Sequence, residues 1–375
     1  MSVSQIEHKV SMIFNIFSTP AAGRTWVYIA SVLLLFFLPF IAGVAGNSWV
    51  RIIDFALLYI ILALGLNIVV GFAGLLDLGY IAFYALGAYL MALCASPHLP
   101  AYFDSFARFF PNGMHISFWI VLPIGALLAA GFGMVLGAPT LRLKGDYLAI
   151  VTLGFGEIIR IFMNNLDRPW NITNGPKGLA KIDPVLVAGI PFNKDWTLLG
   201  IVFHPTYLYY YLFLVVAVCV VVISYRLHGS RIGRAWMAIR DDELAAKAMG
   251  INVRNMKLLA FSIGASFGGL AGVLFASFQG FVSPESFGLM ESIAILAMVV
   301  LGGLGHIPGV ILGGVIVSGL PELLRYTVTP IQKALFGQVY IEAEVLRMLA
   351  YGLAMILIMI YRPAGLWAAP SRVHH

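Results

Sequence analysis

Apolar residues follow one another along the chain in blocks of about twenty, with shorter polar segments between them. A helix of about 20 apolar residues crosses the roughly 30 Å of hydrocarbon in a bilayer. A β-barrel would show short segments of alternating polarity instead. The pattern therefore predicts an all-α polytopic membrane protein with about ten transmembrane helices, spans 1–10. They cover residues 26–44, 50–70, 81–95, 117–137, 147–163, 206–225, 258–279, 287–301, 307–320 and 345–361.

The bulk composition supports this interpretation. Hydrophobic residues make up 61% of the chain and charged residues only 11%, and the mean hydropathy is +0.93, which excludes a soluble globular domain. The formal net charge is +6. Because the basic excess lies mostly beside the spans on one side, we interpret it as a membrane-topology signal and not as a nucleic-acid-binding surface.

Charge also predicts the domain organisation, since short loops rich in Lys and Arg face the cytoplasm. We expect a cytoplasmic N-terminal segment, 1–25, a transmembrane domain, 26–362, and a cytoplasmic tail, 363–375. Within the domain, loop 226–257 is expected on the cytoplasmic side and the long loop 164–205 on the outer side.

Loop 226–257 is the largest polar island of the chain. Counting ten crossings from a cytoplasmic N-terminus places this loop on the cytoplasmic side, together with the connection that carries Arg142 and Lys144. The span count and the distribution of basic residues therefore predict the same side. Its basic residues are Arg226, Arg231, Arg234, Arg240, Lys247, Arg254 and Lys257.

The same loop has helical periodicity. Ile232, Trp236 and Ile239 recur at spacings of four and three, which predicts a short helix with one apolar stripe.

A second short helix is expected directly after the first. Asp241 or Asp242 can cap it, Glu243 falls in its first turn, and Gly250 is placed to end it. Two amphipathic helices on the cytoplasmic face have two interpretations: they rest on lipid headgroups, or they dock a cytosolic partner.

Two connections share the pattern G-F-x6-G, one between spans 2 and 3 and one between spans 7 and 8. The matched residues are Gly71, Phe72 and Gly79 in the first and Gly280, Phe281 and Gly288 in the second. An offset of five spans predicts an inverted repeat that pairs spans 2–5 with spans 7–10, an arrangement with which transporters build a central pathway.

Polar residues within or beside spans are candidates for the pathway, because such groups are costly in a membrane. The candidates are Asn67, Asp77, Tyr84, Thr152, Glu157 and Glu291. Each carboxylate also has a local explanation. Glu157 lies three residues before Arg160, so the two can form an ion pair, and Asp77 and Glu291 sit at span starts, where negative charge favours a helix N-terminus.

Motifs for enzymatic chemistry are absent from the sequence. There is no G-x-x-x-x-G-K-[ST], H-E-x-x-H, C-x-x-C or G-x-S-x-G. We therefore expect no catalytic residue, no metal site and no cofactor in this chain.

Three stretches in order resemble the LivM-type permease subunit of branched-chain amino acid ABC importers. They are GFAGLLDLGYIAFYALGAYLMAL at 71–93, LRLKGDYLAIVTLGFGEIIRI with NITNGPKGL within 141–179, and SRIGRAWMAIRDDELAAKAMGIN followed by KLLAFSIGASFGGLAG within 230–272. The ending RPAGL, 362–366, is similar too.

The resemblance implies an ABC importer permease fold in the bacterial inner membrane and import of leucine, isoleucine or valine. It implies a homologous permease as heterodimer partner, two cytosolic ATPases that hydrolyse the ATP, and a periplasmic amino acid-binding protein. It also makes the 231–250 part of the loop the coupling element that contacts the ATPases. The residues expected there are Arg231, Arg234, Trp236, Arg240, Asp241, Asp242, Glu243 and Gly250.

Other functions stay open at this stage. Urea, short amides or other amino acids are alternative substrates of the same importer class, although Asp77 stands where urea and short-amide relatives carry a small polar residue. An ion-coupled secondary transporter or channel would share the inverted repeat and the carboxylates. An intramembrane enzyme lacks a set of residues to support it.

Overall fold

The computed structural model describes residues 21–44, 46–111, 113–140, 143, 145–187, 189–198, 201–336, 338, 343–362 and 365–367. Most of the predicted N-terminal segment, most of the predicted tail, and both Arg142 and Lys144 lie outside the described residues. The chain forms two compact units, Met1–Arg51 and Ile52–His375. All candidate site residues lie in the second unit.

The described residues are mostly helical. The helices are α1 (Ala21–Val44), α2 (Asn47–Asn67), α3 (Ile81–Cys94), α4 (His98–Tyr102), α5 (Asp104–Phe109), α6 (Phe118–Thr140), α7 (Asp146–Asn165), α8 (Pro205–Gly229), α9 (Arg231–Asp241), α10 (Glu243–Ala248), α11 (Val253–Gln279), α12 (Leu289–Gly302), α13 (Ile307–Phe336) and α14 (Ala343–Tyr361). In the first unit, α1 exposes its apolar side chains from Val32 to Phe37.

Each predicted span coincides with a helix. Six helical segments of the described chain are long and apolar enough to cross a membrane: those of α2, α6, α8, α11 and α13, and α12 together with the turn before it, Pro284–Phe287. Shorter apolar stretches lie in α1, α3 and α14. Helix α7 is in neither group, and it carries Glu157 and Arg160 within its length. The polytopic membrane architecture is thus confirmed.

One predicted boundary is wrong. Span 9 was expected to end at 320, but α13 continues to Phe336 through Pro321 and Pro330. Neighbouring groups can satisfy the backbone that a proline frees in a membrane helix, so proline does not have to end it.

Helix α11 lies at the centre of the second unit, where it packs against α6 and α3. Its glycines allow this approach. A Cβ atom on Gly272 would lie 2.1 Å from the carbonyl oxygen of Tyr84, and one on Gly264 would lie 2.9 Å from that of Gly65. Glycine at these positions lets the helices pack closely, as small residues do in membrane helix interfaces.

Helices α3 and α12 are both short and both follow an irregular connection. Helix α2 ends in a π-helical turn, Ile68–Phe72, and the chain is irregular until α3 begins. Each short helix has 14 residues, about 21 Å, which is less than the hydrocarbon thickness. Their starts meet where the Ser292 hydroxyl donates to the Leu78 carbonyl oxygen at 2.7 Å.

Short strands join the connections at one end of the helices. The strands are β1 (Leu179–Ala180), β2 (Leu186–Val187), β3 (Ile190–Pro191), β4 (Trp196–Leu198), β5 (Ile201–Phe203) and β6 (Phe281–Val282). β1 pairs antiparallel with β6, and the Asp183 amide donates to the carbonyl oxygen of Ala95 at 2.8 Å. These contacts join three connections that charge and parity predict on the outer side.

The connections predicted on the cytoplasmic side also meet one another. The Leu366 amide donates to the carbonyl oxygen of Leu301 at 2.8 Å, so the chain after α14 contacts the end of α12. The loop after α12 reaches the end of α2, because the Gly305 amide donates to Asn67 Oδ1 at 2.9 Å. The end of α2, the loop after α12 and the chain after α14 therefore lie at the same end of the helices.

Candidate coupling surface and translocation centre

The two short helices predicted in loop 226–257 are present as α9 and α10. Ser230 caps α9, and its Oγ accepts from the Gly233 amide at 3.1 Å. Asp242 caps α10, and its Oδ1 accepts from the amides of Leu244, at 2.8 Å, and of the next residue, at 3.0 Å. Gly250, at φ +84°, turns the chain just after α10. Of the two cap candidates, Asp242 is the residue used.

The inner face of this helix pair is anchored on the start of α11. Trp236 is fully buried, and its Nε1 donates to the carbonyl oxygen of Met256 at 2.7 Å. Glu243 Oε2 lies 2.8 Å from Nζ of Lys257, whose side chain is buried. Ile239 is buried beside Trp236, as the apolar stripe predicts. A shift of α9 therefore acts directly on α11.

Arg240 extends from α9 to the break at the end of α2. Its Nη1 donates to the Gly71 carbonyl oxygen. A Cβ atom on Gly305 would lie 2.9 Å from that same Nη1, so the loop after α12 also touches Arg240. Gly74, at φ +69°, faces the stem of Arg240, and a Cβ atom there would lie 2.9 Å from Arg240 Cγ. The end of α2 and the loop after α12 therefore both meet α9 at one side chain.

The outer face of the helix pair is exposed. Leu244 is 73% exposed and Met249 is 83% exposed, so α10 ends in an apolar surface. Arg234 is exposed, and its Nη1 donates to the Gly229 carbonyl oxygen at 2.8 Å. Arg231 and Asp241 are exposed as well. A cleft of about 600 Å³ opens beside this surface, between α10 and the start of α11.

Asp77 and Thr152 organise the connection before α3. Asp77 is buried, and its Oδ1 accepts from the Gly79 amide at 2.9 Å. Thr152 Oγ1 accepts from the Leu78 amide at 3.0 Å, which fixes the connection against α7. A Cβ atom on Gly79 would lie 1.9 Å from the Thr152 carbonyl oxygen, so only glycine fits there.

Tyr84 and Glu291 lie near each other beside a residue that sequence reasoning did not select. Tyr59 Oη donates to Glu291 Oε2 at 2.8 Å. The Tyr84 ring packs edge-on against the Phe287 ring, with centroids 5.2 Å apart. Three elements, α2, α3 and the start of α12, thus converge on one polar centre within the apolar helices.

Glu157 occupies a more exposed position. Its Oε1 lies 2.5 Å from Arg160 Nη2, which confirms the ion pair expected from their spacing. Arg160 also lies 3.5 Å from Glu285, on the turn before α12. Glu157 lines a cavity of about 130 Å³ between the two irregular segments, together with Leu78 and Phe287.

Comparison with known proteins decides the family. The family model described as "Branched-chain amino acid transport system / permease component" matches residues 48–359. The high-affinity branched-chain amino acid transport system permease protein LivM of Escherichia coli (strain K12) is 43% identical, over 83% of this chain and 68% of that protein. The chain belongs to this permease family.

Two further relatives extend the comparison. A probable branched-chain amino acid transport permease protein LivM of Methanocaldococcus jannaschii is 28% identical, over 82% of the permease and 90% of that relative. The permease protein LivH of Salmonella typhimurium is 26% identical, over 84% of the permease and 92% of that relative. No solved structure matches the permease. Members of this family are permease components of transport systems and not catalytic enzymes. The resemblance seen in the sequence and the expectation that the chain is not an enzyme are both confirmed.

Sequence reasoning missed two features of the permease. Tyr59 lies in an unbroken apolar run and has no motif around it, so only its long-range contact with Glu291 reveals it. Arg240 was expected on the ATPase-facing surface; the residue is exposed, and its guanidinium also donates to the carbonyl oxygen of Gly71, 169 residues away in sequence, a contact that was not expected. No local pattern could have indicated that partner.

Proposed function

We propose that the permease is one membrane subunit of an ATP-driven ABC importer for leucine, isoleucine and valine. Membership of the permease family, with 43% identity to a relative named for branched-chain amino acid transport, carries this proposal. Partner ATPases supply the chemistry, and this chain provides the pathway. Urea, short amides or other amino acids are the alternative substrates within the same class.

The proposed assembly contains a homologous permease, two cytosolic ATPases and a periplasmic amino acid-binding protein. The chain lies in the cytoplasmic membrane with ten spans in domain 26–362. Its N-terminal segment, 1–25, and its tail, 363–375, face the cytoplasm. The sorting of connections into two contacting groups supports this topology, because one group contains the basic loop 226–257 and the other contains loop 164–205.

The inverted repeat of spans 2–5 and 7–10 belongs to the same proposal. Helices α3 and α12 have equal length, each follows an irregular G-F-x6-G connection, and their starts meet at Leu78 and Ser292. Transporters place discontinuous helices of this kind around a central site and move the two halves about it. The pathway residues we propose are Asn67, Asp77, Tyr84, Thr152, Glu157 and Glu291.

Helices α9 and α10 are the proposed coupling element. Their inner face is fixed to α11 by Trp236 and Lys257, and their outer face offers exposed apolar and charged groups to a partner. Contact with the ATPases would involve Arg231, Arg234, Asp241, Asp242, Glu243 and Gly250, with Leu244 and Met249 as apolar anchors. A pair of helices resting on lipid would not need to be fixed so firmly to the transmembrane core.

Arg240 is the proposed link between this element and the pathway. When α9 moves with the ATPases, the bond from Arg240 to Gly71 would pull on the break of α2. Asn67 joins that break to Gly305, so the loop after α12 would move with it. One side chain would thus act on both halves of the repeat.

Replacing Leu244 by glutamate tests the coupling surface. Leu244 is 73% exposed, so the change should leave the fold intact but place a charge in the apolar contact. We expect copurification of the ATPases with the permease pair to fall at least about tenfold, a loss of about 1.4 kcal/mol. Quantitative pull-down measures it.

The matched control is Leu186→Glu, a 54% exposed leucine on the loop predicted at the outer side. This variant should assemble normally. Equal ATPase recovery with both variants would argue against α10 as the docking surface.

A further inference from the structure

Helix α12 begins within an apolar segment that is long enough to cross a membrane. The segment has 19 residues, 284–302, and consists of the turn Pro284–Phe287 followed by α12. The first turn of α12 carries Glu291, and the hydroxyl of the next residue, Ser292, donates to the carbonyl oxygen of Leu78 before α3. Glu291 is therefore a carboxylate among apolar helices, a costly placement that calls for a function.

A cavity of about 270 Å³ opens beside this carboxylate. Its polar lining consists of Glu291, Arg347 and Tyr351, from α12 and α14. The Tyr59 hydroxyl donates to Glu291 Oε2 at 2.8 Å, and Tyr59 also lies within electrostatic reach of Arg347. The cavity is thus lined by one carboxylate, from α12, and one guanidinium, from α14.

The rest of the lining is apolar. Met290, Ile293 and Met348 contribute apolar side chains. Tyr351 is held in place because its hydroxyl donates to the Val317 carbonyl oxygen at 2.8 Å. Small-molecule sites are typically apolar cavities of about 300 Å³ or more with a few placed polar groups. This cavity therefore suits a compact ligand with an apolar body.

The chemistry of the lining selects the ligand class. A carboxylate accepts hydrogen bonds from an ammonium group, and a guanidinium can hold a carboxylate through two parallel bonds. Methionine is adaptable and can pack around side chains of different branching. An α-amino acid zwitterion with an aliphatic side chain satisfies all three features together.

We propose that Glu291 and Arg347 form a zwitterion site in the translocation pathway, in which Glu291 binds the ammonium and Arg347 the carboxylate of an aliphatic amino acid. Tyr59 is a positioning residue for Glu291. The inference rests on the proposed import function, which it deepens by naming the groups that contact the substrate.

Photolabelling of the intact importer tests the site. The complex of both permeases and ATPases, with the binding protein, would be reconstituted and supplied with a diazirine analogue of leucine during ATP turnover. The site predicts label in peptides covering 290–294 or 345–352. Excess leucine should abolish the label, whereas 4-methylpentanoate and 3-methylbutylamine, which each lack one charge, should compete at least about tenfold less well.

Variants separate binding from folding. Glu291→Gln should reduce the label and leucine uptake at least about tenfold in a complex that still assembles. Glu285→Gln, a 70% exposed carboxylate on the turn before α12, is the matched control and should behave as wild type. Arg347→Lys, which keeps the charge but loses the second bond, should give an intermediate loss.

The outcomes distinguish this site from the importer assignment. Label elsewhere, or unchanged label and uptake in Glu291→Gln and Arg347→Lys, would overturn the zwitterion site while leaving ATP-driven leucine import in place. If Glu291→Gln fails to assemble, Arg347→Lys and the competitor profile of the wild type decide the question. Absence of leucine uptake by the wild-type complex would contradict the import function itself.

Discussion

Arg240→Ala should strongly reduce transport while leaving the ATPases bound and active. The guanidinium joins α9 to the carbonyl oxygen of Gly71, and that carbonyl lies at the break of α2. A hydrogen bond to a charged group contributes about 1.5–3 kcal/mol, which corresponds to a roughly 10- to 100-fold change. We expect leucine uptake per ATP hydrolysed to fall by this factor, measured in proteoliposomes with parallel ATPase and uptake assays.

Arg234→Ala is the matched control on the same helix. Its guanidinium donates to Gly229, the last residue of α8 and only five residues earlier in the chain, instead of to the distant end of α2. It should alter ATPase affinity but not the uptake per ATP. If Arg240→Ala kept the wild-type ratio of uptake to hydrolysis, the proposed link from α9 to the end of α2 and the loop after α12 would be wrong.

Trp236→Ala should detach the coupling element from α11. Trp236 is fully buried, and its removal leaves a cavity and an unpaired Met256 carbonyl oxygen. Loss of a buried tryptophan costs about 3–5 kcal/mol. We expect a lower unfolding temperature of the purified permease and loss of ATPase copurification, measured by thermal unfolding in detergent and by pull-down.

Trp119→Ala controls for loss of a tryptophan as such. Trp119 makes the same kind of bond, from Nε1 to the Leu186 carbonyl oxygen at 3.0 Å, but it is 48% exposed. It should assemble with the ATPases as the wild type does. Normal assembly of Trp236→Ala would show that the anchoring on α11 is not required for docking.

Local signals in the sequence predicted the elements well. Apolar block length located the helices, and the side-chain chemistry of Ser230 and Asp242 sets where α9 and α10 begin. Gly250 marks the end of the second helix because it adopts positive φ. These features depend on neighbours within a few residues, so the sequence is sufficient to find them.

Contacts between distant segments were not predictable in the same way. Glu291 was selected as a costly charge, but its partner Tyr59 lies 232 residues away. The inward direction of Arg240 depends on how close the end of α2 comes to α9, which is a result of tertiary packing. Helix α13 likewise continues through Pro321 beyond the predicted end of span 9.

ATP-driven leucine uptake tests the central claim most directly. Proteoliposomes would contain both permeases with the ATPases, ATP on the ATPase side and leucine-loaded binding protein on the other. We predict uptake that needs both ATP and the binding protein and that does not respond to a proton or sodium gradient. Gradient-driven uptake by the permease without the ATPases would contradict the claim that a cytosolic motor moves this pathway through α9 and α10.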